Sequence, residues 1–396
     1  MVTPLEGITV LDLSQGVAGP YCTKLLALWG AEVIKVEPPG SGDIARRLGP
    51  FVHDDPQPEK SLLYLYLNTS KKSITLDVKP KAGRDLLRDL VESADVLVES
   101  FEPSVLPGLG LGYAALSDLN PKLVMTSVSF FGQSGPYKDY KGEEIVAQAV
   151  SGNLQITGEP DREPVKIGGY FAQYTAGQAA YVATLMALYH AQLTGKGQQV
   201  DCSIPEPNTD LLDSWGVNAV LGVKQPRTGM RHHGAYPAQI FPCKDGYVAI
   251  GTGPAGWEAL VDLVGNETLR DPKYQAVATR KNYREEIDAI FLDWLKDRTK
   301  LEVFHAGQAK RLAFGYLMTP KDMLESPQLQ ARAFFQELEH PIAGRASYPG
   351  PPFQFSDTQW TLSRAPLLGE HNQEVYQQRL GISQGDLILL RQQGVI

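Results

Sequence analysis

The sequence has few cysteines, and they stand far apart. Cys22, Cys202 and Cys243 are odd in number, and no two of them have the C-x-x-C spacing of a metal-binding pair. The seven histidines likewise show neither an HExxH pattern nor any other ligand spacing. We therefore expect neither a disulfide framework nor a metal site.

Positive charge is also scarce. The chain has 37 lysine and arginine residues against 45 aspartate and glutamate residues, which gives a formal net charge of −8. Because nucleic-acid binding needs a basic face, this balance argues against nucleic acid as a main partner. A local basic pocket for a small phosphate remains compatible with it.

Long apolar runs are missing as well. The most apolar stretch, residues 179–189, is too short to cross a bilayer. The first residues, Met-Val-Thr-Pro-Leu-Glu-Gly, have neither the basic start nor the apolar core of a secretion signal. We expect a cytoplasmic protein without a membrane partner.

The order of strand and helix patterns predicts the fold class. A strand at residues 8–12, a loop, a helix at 21–29 and a strand at 32–36 form the βαβ pattern of a parallel sheet, and similar patterns continue to about residue 200. With 396 residues, the chain is also long for one hydrophobic core. We predict an α/β protein with a large domain at 1–204, a crossing segment at 205–235, a small domain at 236–325 and a return to the large domain at 326–396.

Two segments of the large domain are candidate binding sites. The loop at residues 14–20 follows the first strand, at the edge where parallel sheets bind ligands, and free N–H groups at the start of the next helix suit an anion. The loop has neither a GxGxxG nor a Walker A pattern. A later turn carries Lys71 and Lys72, which either grip a nucleotide phosphate or are solvated turn residues.

One stretch of the large domain is predicted to hold a side chain rigidly at a strand-to-helix junction. Residues 164–177 and the apolar run up to residue 193 predict a short strand, a glycine turn and a tightly packed helix, with Gln173 at the junction. Upstream, Glu143 and Glu144 stand in the first turn of a helix predicted at 142–152, where acidic side chains complement the helix dipole. No GxSxG pattern of a serine hydrolase is present. These residues alone do not name a reaction.

Several segments taken together resemble the class III CoA-transferases. They are PLEGITVLDL at residues 4–13, LWGAEVIKVEPPG at 28–40, ADVLVESF at 94–101, LGLGY at 109–113, TGKGQQVD at 194–201 and LGEHN at 368–372. The resemblance implies a Rossmann-like large domain and a smaller α+β domain, in a dimer whose two chains interlock. It also implies CoA or acyl-CoA as a substrate and no permanently bound cofactor.

The resemblance also assigns residues to the CoA site. It implies that the first loop receives CoA through Gln15, Gly16, Val17 and Ala18. It further implies that the nucleotide phosphates of CoA lie near Lys35, Lys71 and Lys72.

The chain departs from the family at the position of the nucleophile. In these transferases an aspartate attacks the acyl-CoA thioester, and the resulting anhydride is converted to an enzyme–CoA thioester that passes CoA to the acceptor acid. The family pattern around that aspartate aligns with residues 164–177 and puts Gln173 in its place. α-Methylacyl-CoA racemase shares the fold of these transferases, and its histidine and aspartate bases align with Glu143 and Gln173, so that pair is lost too. The glycine-rich active-site loop is reduced to residues 228–234.

Three hypotheses follow from this departure. In the first, the chain is the non-nucleophilic subunit of a heteromeric CoA-transferase, resembling two-subunit members such as succinyl-CoA:benzylsuccinate CoA-transferase, and a related subunit carries the aspartate. In the second, the chain is an active CoA-transferase that uses Glu143 or Glu144 as its nucleophile. In the third, it is a homodimeric pseudoenzyme that binds CoA for regulation. The donor and acceptor acids stay open.

Overall fold

The computed structural model describes residues 3–212, 214–223, 226–231, 236–253 and 256–396. Contacts divide the chain into two compact units. The first unit contains Met1–Asn153, Lys166–Val217 and Ala331–Ile396, and the second contains Leu154–Val165 and Asn218–Gln330.

A six-stranded parallel sheet lies at the centre of the first unit. Its strands are β1 (Thr9–Asp12), β2 (Glu32–Glu37), β3 (Lys72–Thr75), β4 (Val96–Glu99), β5 (Val124–Ser129) and β6 (Gln199–Ser203), in the order β3-β2-β1-β4-β5-β6. β1 pairs with β2 on one side and with β4 on the other. The strand order therefore reverses beside β1, as in doubly wound folds, and the predicted α/β sheet is confirmed.

Helices complete the first unit. They are α1 (Ala18–Leu28), α2 (Leu62–Leu67), α3 (Lys81–Glu92), α4 (Val105–Gly108), α5 (Tyr113–Leu119), α6 (Glu144–Val150), α8 (Phe171–Thr194), α9 (Pro205–Asp210) and α17 (Gln384–Gln392), with an antiparallel pair β10 (Phe335–His340) and β11 (Gly344–Pro349). The chain passes between the units at four points. One lies between Val165 and Lys166, and the others lie within α7 (Asn153–Ile156), α10 (Ser214–Val220) and α16 (Pro327–Ala331).

The sheet is covered on both faces because successive strand residues point to opposite sides. Val10 packs in a core that includes α1 and α8, whereas its neighbour Leu11 packs in a core that includes α3 and α5. Both side chains are fully buried. Near-continuous apolar strands of this kind are typical of a parallel sheet between two helical layers.

Glycine permits α1 and α8 to pack closely. A Cβ atom at Gly177 would lie 2.5 Å from the carbonyl oxygen of Ala18, which is too close for any other residue without a shift of the backbone. The contact joins the amino-terminal ends of the two helices. It therefore holds the start of α8 beside the loop that follows β1.

Two expectations for residues 154–167 are corrected. Residues 164–167 form no strand, because Val165 donates its N–H to the Thr157 carbonyl and Ile167 donates its N–H to Gln148 Oε1. Residues 154–165 also pack with the second unit rather than within a domain of residues 1–204. Arg227 explains this, since its guanidinium binds three carbonyls of the segment, those of Gln155, Glu159 and Arg162.

The second unit combines a small antiparallel sheet with helices. Its strands are β7 (Ala238–Cys243), β8 (Gly246–Gly251) and β9 (Ala313–Tyr316), and its helices are α11 (Trp257–Val264), α12 (Val277–Arg280), α13 (Arg284–Leu295), α14 (Lys300–Ala309) and α15 (Pro320–Glu325). β7 and β8 form a hairpin around Asp245, with Cys243 paired to Gly246. Across the described residues of both units, no helix is long and apolar enough to cross a membrane.

Candidate active site

A cavity of about 530 Å³ opens at the carboxyl edge of the sheet in the first unit. It is lined by the loops that follow β1, β4 and β5 and by the first turn of α8. This is the point where the strand order reverses, and open parallel sheets bind ligands there because the loops on either side of it diverge.

The loop after β1 forms one wall of this cavity through Gln15, Gly16, Val17 and Ala18. Its backbone is fixed by side chains from other segments. Gln15 donates its N–H to Ser100 Oγ at 2.9 Å, and Gly16 donates its N–H to Asp43 Oδ1 at 2.9 Å. Gly16 has a φ of +79°, a conformation that favours glycine. The four loop residues predicted from the sequence thus lie together.

A buried charge network lies beneath the loop. Lys35 Nζ is 2.7 Å from Asp43 Oδ2 and 3.7 Å from Asp12 Oδ2, and Lys71 Nζ is 2.9 Å from Asp12 Oδ2. Burial alone would raise the pKa of Asp12, but the ammonium groups of Lys35 and Lys71 hold it well below its usual range. Burial lowers the pKa of Lys71 to about 8 in spite of Asp12.

The predicted lysines do not line the cavity. Lys35 and Lys71 are 0% and 4% exposed, and their ammonium groups bind interior carboxylates. Lys72 is partly exposed and pairs with Glu32 and Glu374, each at 2.6 Å. The contact of these lysines with nucleotide phosphates stays a prediction that the geometry does not favour, because their charges are already neutralised within the fold.

Gln173 lies in the first turn of α8 and lines the cavity. Its amide Nε2 is 3.4 Å from Glu144 Oε2. An amide attacks a thioester far more poorly than a carboxylate, so this side chain offers the cavity a polar contact without a nucleophile.

Glu144 holds the start of α8 from the neighbouring helix α6. Its Oε1 accepts the N–H of Ala172 at 2.8 Å and Nε2 of Gln148 at 2.7 Å, and its Oε2 accepts the N–H of Gln173 at 3.3 Å. The side chain is 7% exposed. The carboxylate satisfies N–H groups that the helix itself leaves without acceptors, which is a structural role.

Glu143 differs from its neighbour. It precedes α6, lines the cavity and is exposed. It makes no capping hydrogen bond, and its carboxylate has no hydrogen-bond or ion-pair partner among the described residues. The structure therefore brings Glu143, Gln173 and the first loop into one cavity and leaves Glu144 in the wall behind it.

A second, apolar cavity of about 580 Å³ continues from the first. The two share Leu13, Gln15 and Phe101 as lining residues. Leu76 and Lys79, from the segment after β3, also line the second cavity. Both cavities belong to the first unit, and together they form an extended groove along the carboxyl edge of the sheet.

The sequence does not identify several functional groups at this edge. Asp43 and Ser100 accept hydrogen bonds from the loop but are distant from it in the sequence, and no local pattern predicts either contact. Glu99 ends β4, is 4% exposed, and lines a separate cavity of about 380 Å³. Burial raises the pKa of the Glu99 carboxyl to about 7.

Part of the segment expected as an active-site loop lies outside the described residues. Residues 228–231 are described and belong to the second unit, whereas His232, His233 and Gly234 are not described. Among the residues that are described, no group of three or more histidine, cysteine, aspartate or glutamate side chains could hold a metal ion.

The chain is similar to known proteins over its whole length. The sequence model of CoA-transferase family III matches residues 5–372. A formyl-CoA:oxalate CoA-transferase of Streptomyces avermitilis is 33% identical over 100% of both chains, and a succinyl-CoA:glutarate CoA-transferase of Homo sapiens is 33% identical over 96% of this chain and 86% of its own. The crystal structure of a CAIB/BAIF family protein from Brucella suis superposes with a TM-score of 0.87, at 32% identity over 96% of this chain and 100% of its own.

Proposed function

This chain belongs to CoA-transferase family III, and on that premise we propose that it is the subunit without a nucleophile in a two-subunit CoA-transferase. The observation that carries the proposal is Gln173. The family resemblance puts this residue at the nucleophile position, and its side chain lies in the first turn of α8 and lines the groove at the carboxyl edge of the sheet. The helix predicted to carry this position is present, and its side chain there is an amide rather than a carboxylate.

The proposed reaction moves CoA from an acyl-CoA donor to a carboxylic acid acceptor. An aspartate of the partner subunit attacks the thioester carbonyl, and the C–S bond breaks to release CoA thiolate and leave a mixed anhydride. The thiolate attacks the aspartyl carbonyl, which frees the donor acid and forms an enzyme–CoA thioester. The acceptor carboxylate then attacks that thioester, and its C–S bond breaks to release CoA thiolate and leave a second mixed anhydride. CoA thiolate attacks the acceptor's carbonyl in this anhydride, which releases the acceptor's CoA thioester and regenerates the aspartate.

The two joined cavities support binding of CoA by this chain. The end of α1 that faces the cavity supplies free N–H groups beside Val17 and Ala18, and such groups suit an anionic or developing negative charge. The apolar cavity bordered by Leu76 and Phe101 suits the adenine base, with the exposed Lys79 available to a phosphate. We propose that CoA lies along this groove with its thioester end toward Gln173.

An apolar stripe on α8 supports association with a second chain. Val182, Met186, Tyr189 and Leu193 are 47%, 69%, 64% and 68% exposed. Their spacing of four, three and four residues puts them on one face of the helix. A stripe of this length usually marks an interface, because water contact with it is unfavourable. The proposed partner is a related CoA-transferase subunit, in an interlocked pair.

Glu143 supports a second candidate function. Its carboxylate lies at the cavity without a described partner, so it is available to attack a thioester, whereas the carboxylate of Glu144 is occupied by four donors. In this alternative the lone chain is an active CoA-transferase. A homodimer that binds CoA without transferring it is the remaining alternative, and it predicts CoA binding by the lone chain with no activity in any assembly.

Co-purification and reconstitution separate these functions. The chain is purified from its native cells under mild conditions, and related polypeptides that accompany it are identified and co-expressed. We expect no CoA transfer by the lone chain and transfer by the pair. The matched variants Gln173→Asp and Gln173→Asn test the site directly: the aspartate should give the lone chain measurable transfer, and the asparagine should not. Full activity of the unaltered lone chain would contradict the proposal.

A further inference from the structure

A basic cavity of about 370 Å³ lies within the second unit. Four of its lining residues are cationic, namely Arg227, Arg231, Lys281 and Arg284, and the others are Pro160, Pro226, Thr228 and Asn282. The described lining contains no carboxylate. In a chain with a net charge of −8, four cations around one small cavity are a departure from the overall balance.

These four cations form no ion pair with any carboxylate among the described residues, although other cations of the same unit do. Arg270 lies 2.6 Å from Asp262, Lys273 lies 2.7 Å from Glu286, and Lys300 lies 2.5 Å from Asp322. The four cations at the cavity therefore lack the direct acidic partners that other cations of the unit have.

Neutral groups hold two of the guanidinium groups in place. Arg227 donates to the carbonyls of Arg162 at 2.9 Å, Glu159 at 3.2 Å and Gln155 at 3.4 Å. Arg284 lies over the ring of Tyr236, 5.2 Å from its centroid, and its Nε is buried without a hydrogen-bond partner. Both side chains are thus positioned without losing their charge, and each retains donors for a ligand.

Two carboxylates lie close to the cavity without lining it. The Glu159 carboxylate is near Gly229, since a Cβ built there would be 2.1 Å from its Oε1. Asp288, one turn beyond Arg284, accepts hydrogen bonds from the hydroxyl of Tyr236 at 2.6 Å and from Gln239 at 3.1 Å. The four cations and these two carboxylates together have a formal charge of +2.

We propose that this cavity binds a small oxyanion with two or more negative charges, either a phosphate compound or a polycarboxylic acid. Guanidinium groups bind planar and tetrahedral oxyanions through paired N–H donors, and such charge-assisted hydrogen bonds are about twice as strong as neutral ones. The small volume excludes extended nucleic acid. The inference does not depend on whether Gln173 or a partner residue performs the transfer chemistry.

Calorimetry on the native assembly tests this site with inorganic pyrophosphate and with succinate as separate probes. Binding of pyrophosphate alone identifies a phosphate site, binding of succinate alone identifies a carboxylate site, and binding of either one supports the proposal. Affinity should fall as salt increases, because exposed charges are screened over about 8–10 Å at physiological ionic strength. Absence of binding of both probes at about 10 mM, where a site with millimolar Kd is mostly filled, would overturn it.

Matched variants locate the binding. Arg231→Gln should weaken binding of the effective probe about tenfold, since hydrogen bonds to charged groups contribute at that level. Arg284→Gln should do the same, and Lys281→Gln keeps the test valid if Arg284 proves necessary for folding. Lys310→Gln is the control, since Lys310 is an exposed cation of the same unit outside the cavity. An equal loss in Lys310→Gln would show that only net charge matters and would contradict the site.

Discussion

Replacing Glu144 by alanine should destabilise the first unit, whereas replacing Glu143 should not. The Glu144 carboxylate accepts N–H groups of Ala172 and Gln173 at the start of α8 and the amide of Gln148. Its removal leaves buried donors without an acceptor. The adjacent Glu143 is exposed and has no capping bond, so it is a control that is matched in charge and in sequence context.

The expected size follows from those contacts. Loss of a helix cap costs about 1 kcal/mol, and loss of a hydrogen bond to a charged group costs about 1.5–3 kcal/mol. Because these donors share one carboxylate, the terms are not additive, and we expect a loss of roughly 3 kcal/mol for Glu144→Ala. Glu143→Ala should change the free energy of unfolding by no more than about 0.5 kcal/mol.

Urea unfolding followed by circular dichroism measures the difference, and hydrogen–deuterium exchange locates it. Peptides that cover residues 171–175 should exchange faster in Glu144→Ala and at the original rate in Glu143→Ala. If both variants unfold at the same urea concentration, or if exchange at the start of α8 is unchanged, Glu144 does not have the structural role inferred from its contacts.

Three further predictions concern packing, charge and pH. Gly177→Ala should lower the free energy of unfolding by about 1–3 kcal/mol, because its Cβ would lie 2.5 Å from a backbone carbonyl oxygen. Gly168→Ala is the control, since its Cβ would have no atom within 4 Å, and thermal unfolding should show that it is tolerated. Lys71→Met should cost about 3–5 kcal/mol, because the buried carboxylates of Asp12 and Asp43 would then share the single ammonium of Lys35. The part-exposed Lys72→Met should cost at most about 1 kcal/mol, and equal losses would refute this difference. The pKa of Glu99 in the folded state, about 7, lies above the usual value of 4.5, so the folded state retains a proton that the unfolded state releases. The free energy of unfolding should therefore fall by up to roughly 3 kcal/mol as pH rises from 4.5 to 7. A Glu99→Gln variant whose free energy of unfolding falls equally steeply with pH would contradict this.

The parallel sheet and the position of the groove could be predicted from the sequence because both depend on local patterns. Strands such as 8–12 and 32–36 are short, mainly apolar and separated by a helix, and chain geometry leaves few ways to connect them. The loop at Gln15 follows the first strand, so its place at the carboxyl edge follows from the topology.

The lysines and the junction before α8 depend on contacts that are distant in the sequence. Lys35 and Lys71 look available as phosphate ligands until the fold sets Asp12 and Asp43 beside them. The segment 164–167 has a strand-like pattern, but its backbone donors are taken by Gln148 and by the turn at Thr157. No local sequence pattern predicts contacts between residues so distant in the chain.

Trapping of the enzyme-bound intermediate tests the central claim most directly. The lone chain and the reconstituted pair are each incubated with acyl-CoA and then with hydroxylamine, and the hydroxamate is located by mass spectrometry. We expect no adduct on the lone chain and one adduct on an aspartate of the partner subunit. An adduct on Glu143 of the lone chain would contradict the account and would identify this chain's own nucleophile.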